Sequence, residues 1–282
     1  MNKVIITTDS TCDLSDELLE KYNIKMIPLY VMFGEETYLD RVDITTERLY
    51  ELVEQKGMIP KTATPSSEVY YEFFKKYVDE GYSIVHIPVS SKLSGAYQQS
   101  FLASQQFEEG RVHIVDSFSL SSGVGLVAMK ASQWAKMGLS AQEIADKARE
   151  IAPRVQTAFV IDTMEYLYKG GRCSGIANFI GTLLKIKPII HMKDGAMEVG
   201  EKPVGKKKAY EILLNKIYRD KDNLDPEFVM VTHSLNFEAA EYLKAELRKN
   251  LEIENLYETV AGCTISSHCG KGTIGILYIT KK

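Results

Sequence analysis

Four cysteines, at Cys12, Cys173, Cys263 and Cys269, are too few and too scattered among 282 residues for a disulfide framework. No two of them form a CxxC pair, which excludes a structural zinc site and a thioredoxin-type motif. There is no excess of charge of one sign either. Lys and Arg number 34 against 38 Asp and Glu, for a formal net charge of −4. Nucleic-acid binders ordinarily carry a basic footprint, so no nucleic-acid partner is expected. No apolar run approaches the roughly 18 residues of a membrane span, so at most transient membrane contact is expected. The apolar run after Met1-Asn2-Lys3 is too brief for a secretory signal, and Asn2 stands where myristoylation requires Gly. Also missing are the GxSxG elbow and the HExxH zinc motif of common hydrolases. These absences lead to the expectation of a reduced, cytoplasmic, soluble protein without an obvious catalytic signature.

What is present is ordinary globular composition, with 45% hydrophobic and 26% charged residues. At roughly 150 residues per domain the length favours two domains. In the first half, β-branched apolar runs predict strands at 4–8, 26–33, 83–89 and 112–115. Helical periodicity fills the intervals at 44–55 and 120–136, and Val69, Phe73 and Tyr77 recur on one helical face. Alternating strands and helices predict a three-layer α/β/α domain with a parallel sheet over residues 1–153, its boundary set near Ala152-Pro153-Arg154. The second half, 154–282, predicts strands at 157–161, 188–192, 197–199, 228–232, 256–260 and 274–279, with long helices at 207–218 and 237–250. Asp194-Gly195 is a tight-hairpin signal. A two-layer α/β domain follows, its mixed sheet covered by helices on one side.

Three motifs are weak on inspection. Gly200–Lys206 fits GxxxxGK, but the next residue is Lys207, where a P-loop needs the Ser or Thr hydroxyl that holds Mg²⁺. Gly123-Val-Gly125-Leu-Val-Ala128 fits GxGxxA, yet six residues, 117–122, separate it from its strand, whereas a dinucleotide fingerprint follows directly. Close packing at a helix start explains these glycines as well. Asp9 and Asp13 suit a cation or, more simply, a helix cap.

A stronger signal is the recurrence of Ser and Thr clusters where strands end and helices begin. They lie at Thr7–Thr11, Thr62–Ser66, Ser90–Gly95 and Ser117–Ser122. Each alone is a turn or an N-cap. In an open parallel sheet, however, the carboxyl ends of the strands face one crevice, and hydroxyls with helix N-terminal amides gathered there make a neutral cradle for an anion. The second half adds Tyr168–Ser174, a Gly-Gly turn presenting Arg172 before a helix, and Ser266–Gly272, a Gly-rich loop carrying His268 between two strands. Arg suits bidentate recognition of a carboxylate or phosphate.

Taken in order, six segments resemble the DegV family of bacterial two-domain lipid-binding proteins over nearly the whole chain. They are Thr8-Asp9-Ser10, the TxxPS segment Thr62–Ser66, the SSxLSG loop running to Tyr97, the stretch Asp116–Gly125, the GGRxS turn Gly170–Ser174, and the HxGxG loop His268–Gly272. The resemblance implies a protein that encloses one long-chain fatty acid in an apolar tunnel, with its carboxylate where the domains meet. It further implies a binding subunit, not catalytic by itself and without a cofactor beyond the bound fatty acid. Such a subunit presents the carboxylate to a separate ATP-dependent fatty acid kinase and carries the acyl-phosphate toward phospholipid synthesis. On the matched positions Thr62 and Ser94 are expected to hydrogen-bond the carboxylate, and Arg172 and His268 to complete the polar network. Ser121, Gly95 and Ser66 are secondary candidates. The chain departs from the family at Ala96, usually Thr, and at Lys271, usually Pro. Two alternatives stay open at this point: an acyl-ester hydrolase with Ser94 as nucleophile and His268 as base, and a binder of another amphipathic anion.

Overall fold

The computed structural model describes residues 3–175 and 185–282. In the first half the elements are β1 (Lys3–Asp9), α1 (Asp16–Lys21), β2 (Ile24–Ile27), β3 (Tyr30–Phe33), β4 (Glu36–Leu39), α2 (Thr46–Lys56), β5 (Lys61–Ala63), α3 (Ser67–Asp79), β6 (Tyr82–Ile87), α4 (Ala96–Ser104), β7 (Val112–Ile114), α5 (Ser122–Lys136) and α6 (Ala141–Ile151). There follow β8 (Val155–Val160), α7 (Glu165–Gly170), β9 (Cys173–Ser174), β10 (Ile189–Lys193), β11 (Ala196–Val199), α8 (Lys206–Arg219), β12 (Leu224–His233), α9 (Phe237–Asn250), β13 (Leu256–Val260), α10 (Cys263–Cys269) and β14 (Ile274–Thr280).

The first sheet, ordered β2-β1-β6-β7, is parallel throughout. Successive residues of a strand point to opposite faces, and here both faces are apolar. Ile5 and Ile84 pack with Tyr70 and Phe74 of α3 on one side. Ile6 and Val85 pack with Val127 of α5 and Ile144 of α6 on the other. This is the three-layer α/β/α arrangement expected of the first half. The second sheet is seven-stranded and mixed, ordered β13-β12-β14-β8-β10-β11-β9. Val229, Val231 and Ile276 bury one face against Leu213 and Ile217 of α8 and Leu243 of α9. The other face turns Met230, Leu277 and Phe159 into the same core as α5. Helices therefore cover one side of this sheet, and the first half of the chain closes part of the other.

Two local expectations are corrected. The run 26–33 is not one strand. Pro28 has no amide hydrogen to continue a ladder, so β2 stops at Ile27 and the Leu29 amide donates to Ser10 Oγ at 3.1 Å. The chain then turns into a separate antiparallel sheet, β4-β3-β5. In α3 the buried stripe is Tyr70, Phe74 and Tyr77, while Val69 is 41% exposed. The aromatic density of this segment supports two helical stripes, and contact with His86 of β6 selects the one through Tyr70 and Phe74. The hairpin stands as expected, with Asp194 and Gly195 at φ 48° and 81°. Among the described residues no helix is long and apolar enough to cross a membrane.

Candidate functional site

A cavity lies between the loops that follow the strands of the first sheet and the inner face of the second sheet. Its volume is ≈ 190 Å³. Leu29, Val89, Leu120, Phe159 and Leu277 supply apolar wall from both halves. Thr62, Ser94, Gly95, Arg172 and His268 gather on it as well. These are four residues expected to bind a carboxylate and one of the secondary candidates, brought together from β5, the loop before α4, the turn after α7, and α10.

His268 is the pivot of this group. The sequence reading placed it in a loop, whereas it lies in the last turn of α10. Its Nε2 is 2.8 Å from Thr62 Oγ1, a hydrogen bond between the two halves of the chain. Its Nδ1 is buried without a hydrogen-bond partner among the described residues. A Cβ added at Gly170 would meet that nitrogen at 2.4 Å, so glycine is needed there for the imidazole to sit against the backbone of α7. Burial, and secondarily the Arg172 charge, push the imidazole down to about 4. At neutral pH it is therefore uncharged and hydrogen-bonds without contributing charge.

Arg172 supplies the positive charge instead. The helix α7 ends at Gly170 and Gly171 takes the left-handed conformation beyond it at φ 65°, so Arg172 follows a helix. The two residues after Arg172 form β9 and not the expected helix, and 176–184 lie outside the described residues. Its Nη1 donates to the Gly170 carbonyl at 2.6 Å and its Nε to the Leu93 carbonyl at 3.4 Å. Arg172 and Gly95 are exposed and Ser94 is half-buried, so the polar group stands at the solvent side of the cavity. Ser94 Oγ accepts from the Ala96 amide at 3.2 Å. No hydrogen bond joins Ser94 to His268, whose Nε2 is taken by Thr62.

Ser121 lines the cavity in a conformation rare for a residue with a side chain, φ 55° and ψ −147°. Its hydroxyl is hydrogen-bonded to Asp13 Oδ2 at 2.5 Å, so it is already engaged within the protein. Ser66 stands at the N-cap position of α3, without a side-chain capping hydrogen bond, and is not among the cavity residues. The nearby Thr62 and Thr64 line the cavity.

The sequence reading missed a buried acidic bracket behind α10. Asp40 accepts from the Cys263 amide at 2.8 Å, the Thr264 amide at 3.2 Å and Ser10 Oγ at 2.8 Å. Asp13 accepts from the Gly262 amide at 2.8 Å. Asp9 takes the Thr11 amide at 3.0 Å and the Val89 amide at 3.0 Å, which makes it a cap in the sense anticipated. Desolvation raises Asp9 to about 6 and Asp13 to about 7. A single Asp between a strand and a helix carries no local signal of a contact 223 residues away.

The weak motifs resolve as packing. Amides of Gly200 and Gly205 donate to the Ile189 and Lys185 carbonyls, so they do not cradle phosphate, and Lys206 pairs with Asp162 at 3.2 Å. The glycines at 123 and 125 let α5 approach Ser119 and Leu14.

Residues 3–281 match the family model described as uncharacterised protein, DegV family. The chain belongs to the DegV family. It is 35% identical over 282 residues to a DegV domain-containing protein of Clostridium acetobutylicum, covering 100% of each. A DegV family protein from Thermus thermophilus, described for its fatty acid binding, superposes with a TM-score of 0.92 at 30% identity, covering 99% of both chains. A DegV lipid-binding protein from Thermotoga maritima superposes at 0.88 with 31% identity, covering 99% of this chain and 98% of that one.

Proposed function

We propose that this protein holds one long-chain fatty acid in this cavity and presents the carboxylate, at the Arg172 side, to a separate ATP-dependent kinase. What carries the reading is an apolar enclosure whose polar group lies at its solvent side, with an exposed Arg172 beside the Thr62–His268 pair. Enclosure of an acyl chain contributes roughly 0.8 kcal/mol per CH₂, ample for tight holding without a covalent bond. A carboxylate taken from water without partners is strongly unfavourable. Here the Arg172 guanidinium offers charge, the hydroxyls of Thr62 and Ser94 offer hydrogen bonds, and the neutral imidazole holds the Thr62 hydroxyl in place. The DegV relatives whose descriptions name fatty acid or lipid binding support the same class of ligand. Delivery to a kinase rests on the resemblance and on that solvent-side placement, which leaves the head group within reach of a second protein. A hydrolase built on Ser94 and His268 draws less support, because the imidazole is engaged with Thr62.

Gas chromatography of lipid extracted from the purified protein, with native mass spectrometry, tests the first part. The expected result is one acyl chain per protein. Absence of any acyl chain, together with no uptake of added fatty acid, overturns it. For the second part, the loaded protein is mixed with a bacterial fatty acid kinase subunit and ATP. Acyl-phosphate is expected, and its absence removes the kinase partnership while leaving the binding intact.

A further inference from the structure

The hydroxyls of the cavity wall are nearly all spent within the protein. Thr157 Oγ1 bonds Ser119 Oγ at 3.0 Å, Thr232 Oγ1 bonds Thr259 Oγ1 at 2.7 Å, Ser234 Oγ bonds Ser266 Oγ at 2.8 Å, and Thr273 Oγ1 donates to the Cys269 carbonyl at 2.8 Å. Thr264 is different. The residue is 5% exposed, it lines the cavity, and its Oγ1 is buried with no hydrogen-bond partner among the described residues. The other unbonded cavity hydroxyl, Thr64 Oγ1, has the Tyr70 hydroxyl for a neighbour.

Thr264 is also held in place. Its amide and that of Cys263 are both bound by the fully buried Asp40, which fixes the start of α10. It stands four positions before His268, so the two share one face of the helix with Cβ atoms ~5–6 Å apart. Ile265 and Cys269 complete that face, and all four line the cavity. A fixed, buried and unbonded hydroxyl one turn from the imidazole is destabilising in the empty protein unless a bound molecule supplies its partner.

We propose that Thr264 is a ligand-contacting residue whose hydroxyl bonds an oxygen near the carboxyl end of the bound acyl chain. The proposal rests on the fatty-acid reading above and adds a determinant of which acid is preferred. The oxygen belongs either to the carboxylate itself or to a hydroxyl on the first few carbons of the chain. Both sources present an acceptor oxygen to the threonine hydroxyl.

The test compares wild-type protein, Thr264→Val and Thr264→Ser, stripped of lipid and titrated with hexadecanoic acid and 3-hydroxyhexadecanoic acid. Valine keeps the shape and removes the hydroxyl; serine keeps the hydroxyl. Loss of affinity on the order of 10-fold in Thr264→Val for both acids, restored in Thr264→Ser, assigns the contact to the carboxylate. The same loss for the hydroxy acid alone assigns it to the chain hydroxyl. Unchanged or tighter binding of both acids to Thr264→Val overturns the proposal, as does equal loss in the valine and serine variants, which is a packing effect. Failure of the wild-type protein to bind either acid overturns the fatty-acid reading itself, and is thereby distinguished from failure of the threonine contact alone.

Discussion

His268 and Asp13 are both buried and both shifted, with opposite consequences for stability. For His268 the folded value, about 4, lies below the ordinary 6.5. Between these values the unfolded chain binds a proton that the folded protein excludes, so this group's contribution is complete above pH 6.5 and declines as pH falls toward 4. Asp13 is raised from 3.8 to about 7, chiefly by desolvation, against the hydrogen bonds from Ser121 and Gly262 and the charge of Arg41. In that interval the folded state holds a proton that the unfolded chain releases, so the contribution of Asp13 falls as pH rises from about 4 to about 7. Asparagine can mimic the protonated acid, accepting from Gly262 and donating to Ser121. Asp13→Asn is therefore expected to gain stability relative to wild type as pH rises across that window. Urea unfolding of both proteins at several pH values measures the difference. Curves that stay parallel from pH 4 to 7.5 sink the assignment.

At the scale of elements, α10 decides whether the site exists. The segment 263–269 contains Cys, Thr, Ile and two Ser, none of them a strong helix former, and glycines flank it. Seven residues are too few to be helical alone. Its start is held by Asp40 and Asp13 from the other half of the chain, which is why a reading from spacing saw a loop. The same distance hid the role of Gly170. Its backbone does not need glycine for its own conformation, since it is absent from the positive-φ residues. It needs glycine because His268 Nδ1 occupies the space of a Cβ. Gly170→Ala is expected to fold, to displace the imidazole from Thr62, and to weaken fatty-acid binding by roughly 10-fold, the worth of one hydrogen bond. Isothermal titration checks it, with histidine NMR as the structural readout. Wild-type affinity with an unmoved His268 resonance counts against the contact.

For the molecule as a whole, the cavity lies between the loops that follow the first sheet's strands and the inner face of the second sheet, and α5 ties both sheets into one core. A ligand filling it binds only the folded state, and at 100 times its Kd it adds about 2.7 kcal/mol. At ~2–4 °C per kcal/mol for a protein in this size range, loaded protein is expected to melt about 5–10 °C above stripped protein. Differential scanning calorimetry before and after lipid extraction measures this. Identical melting temperatures, with the acyl chain verified in one sample only, argue against a filled interior cavity. Asp9, Asp13 and Asp40 lie behind the same region with their carboxylates turned to backbone amides and hydroxyls.

From the residues alone came what depends on local pattern. Near-continuous β-branched runs separated by helical stripes indicated a parallel sheet between helices, because period and apolarity are properties of neighbouring residues. Asp194-Gly195 indicated its hairpin, because positive φ is a local demand. The ordered Ser/Thr, GGR and His-Gly segments indicated the family and the residues that gather at the cavity. What tertiary structure alone decided depends on atoms distant in the chain. Thr62 meets His268 across 206 residues, and Pro28 breaks a run that hydrophobicity would continue. The charge of His268 and Asp13 is set by burial, which no spacing encodes. Thr264, unremarkable as one hydroxyl among many, is distinguished only by having its bonding capacity unfilled at the cavity wall.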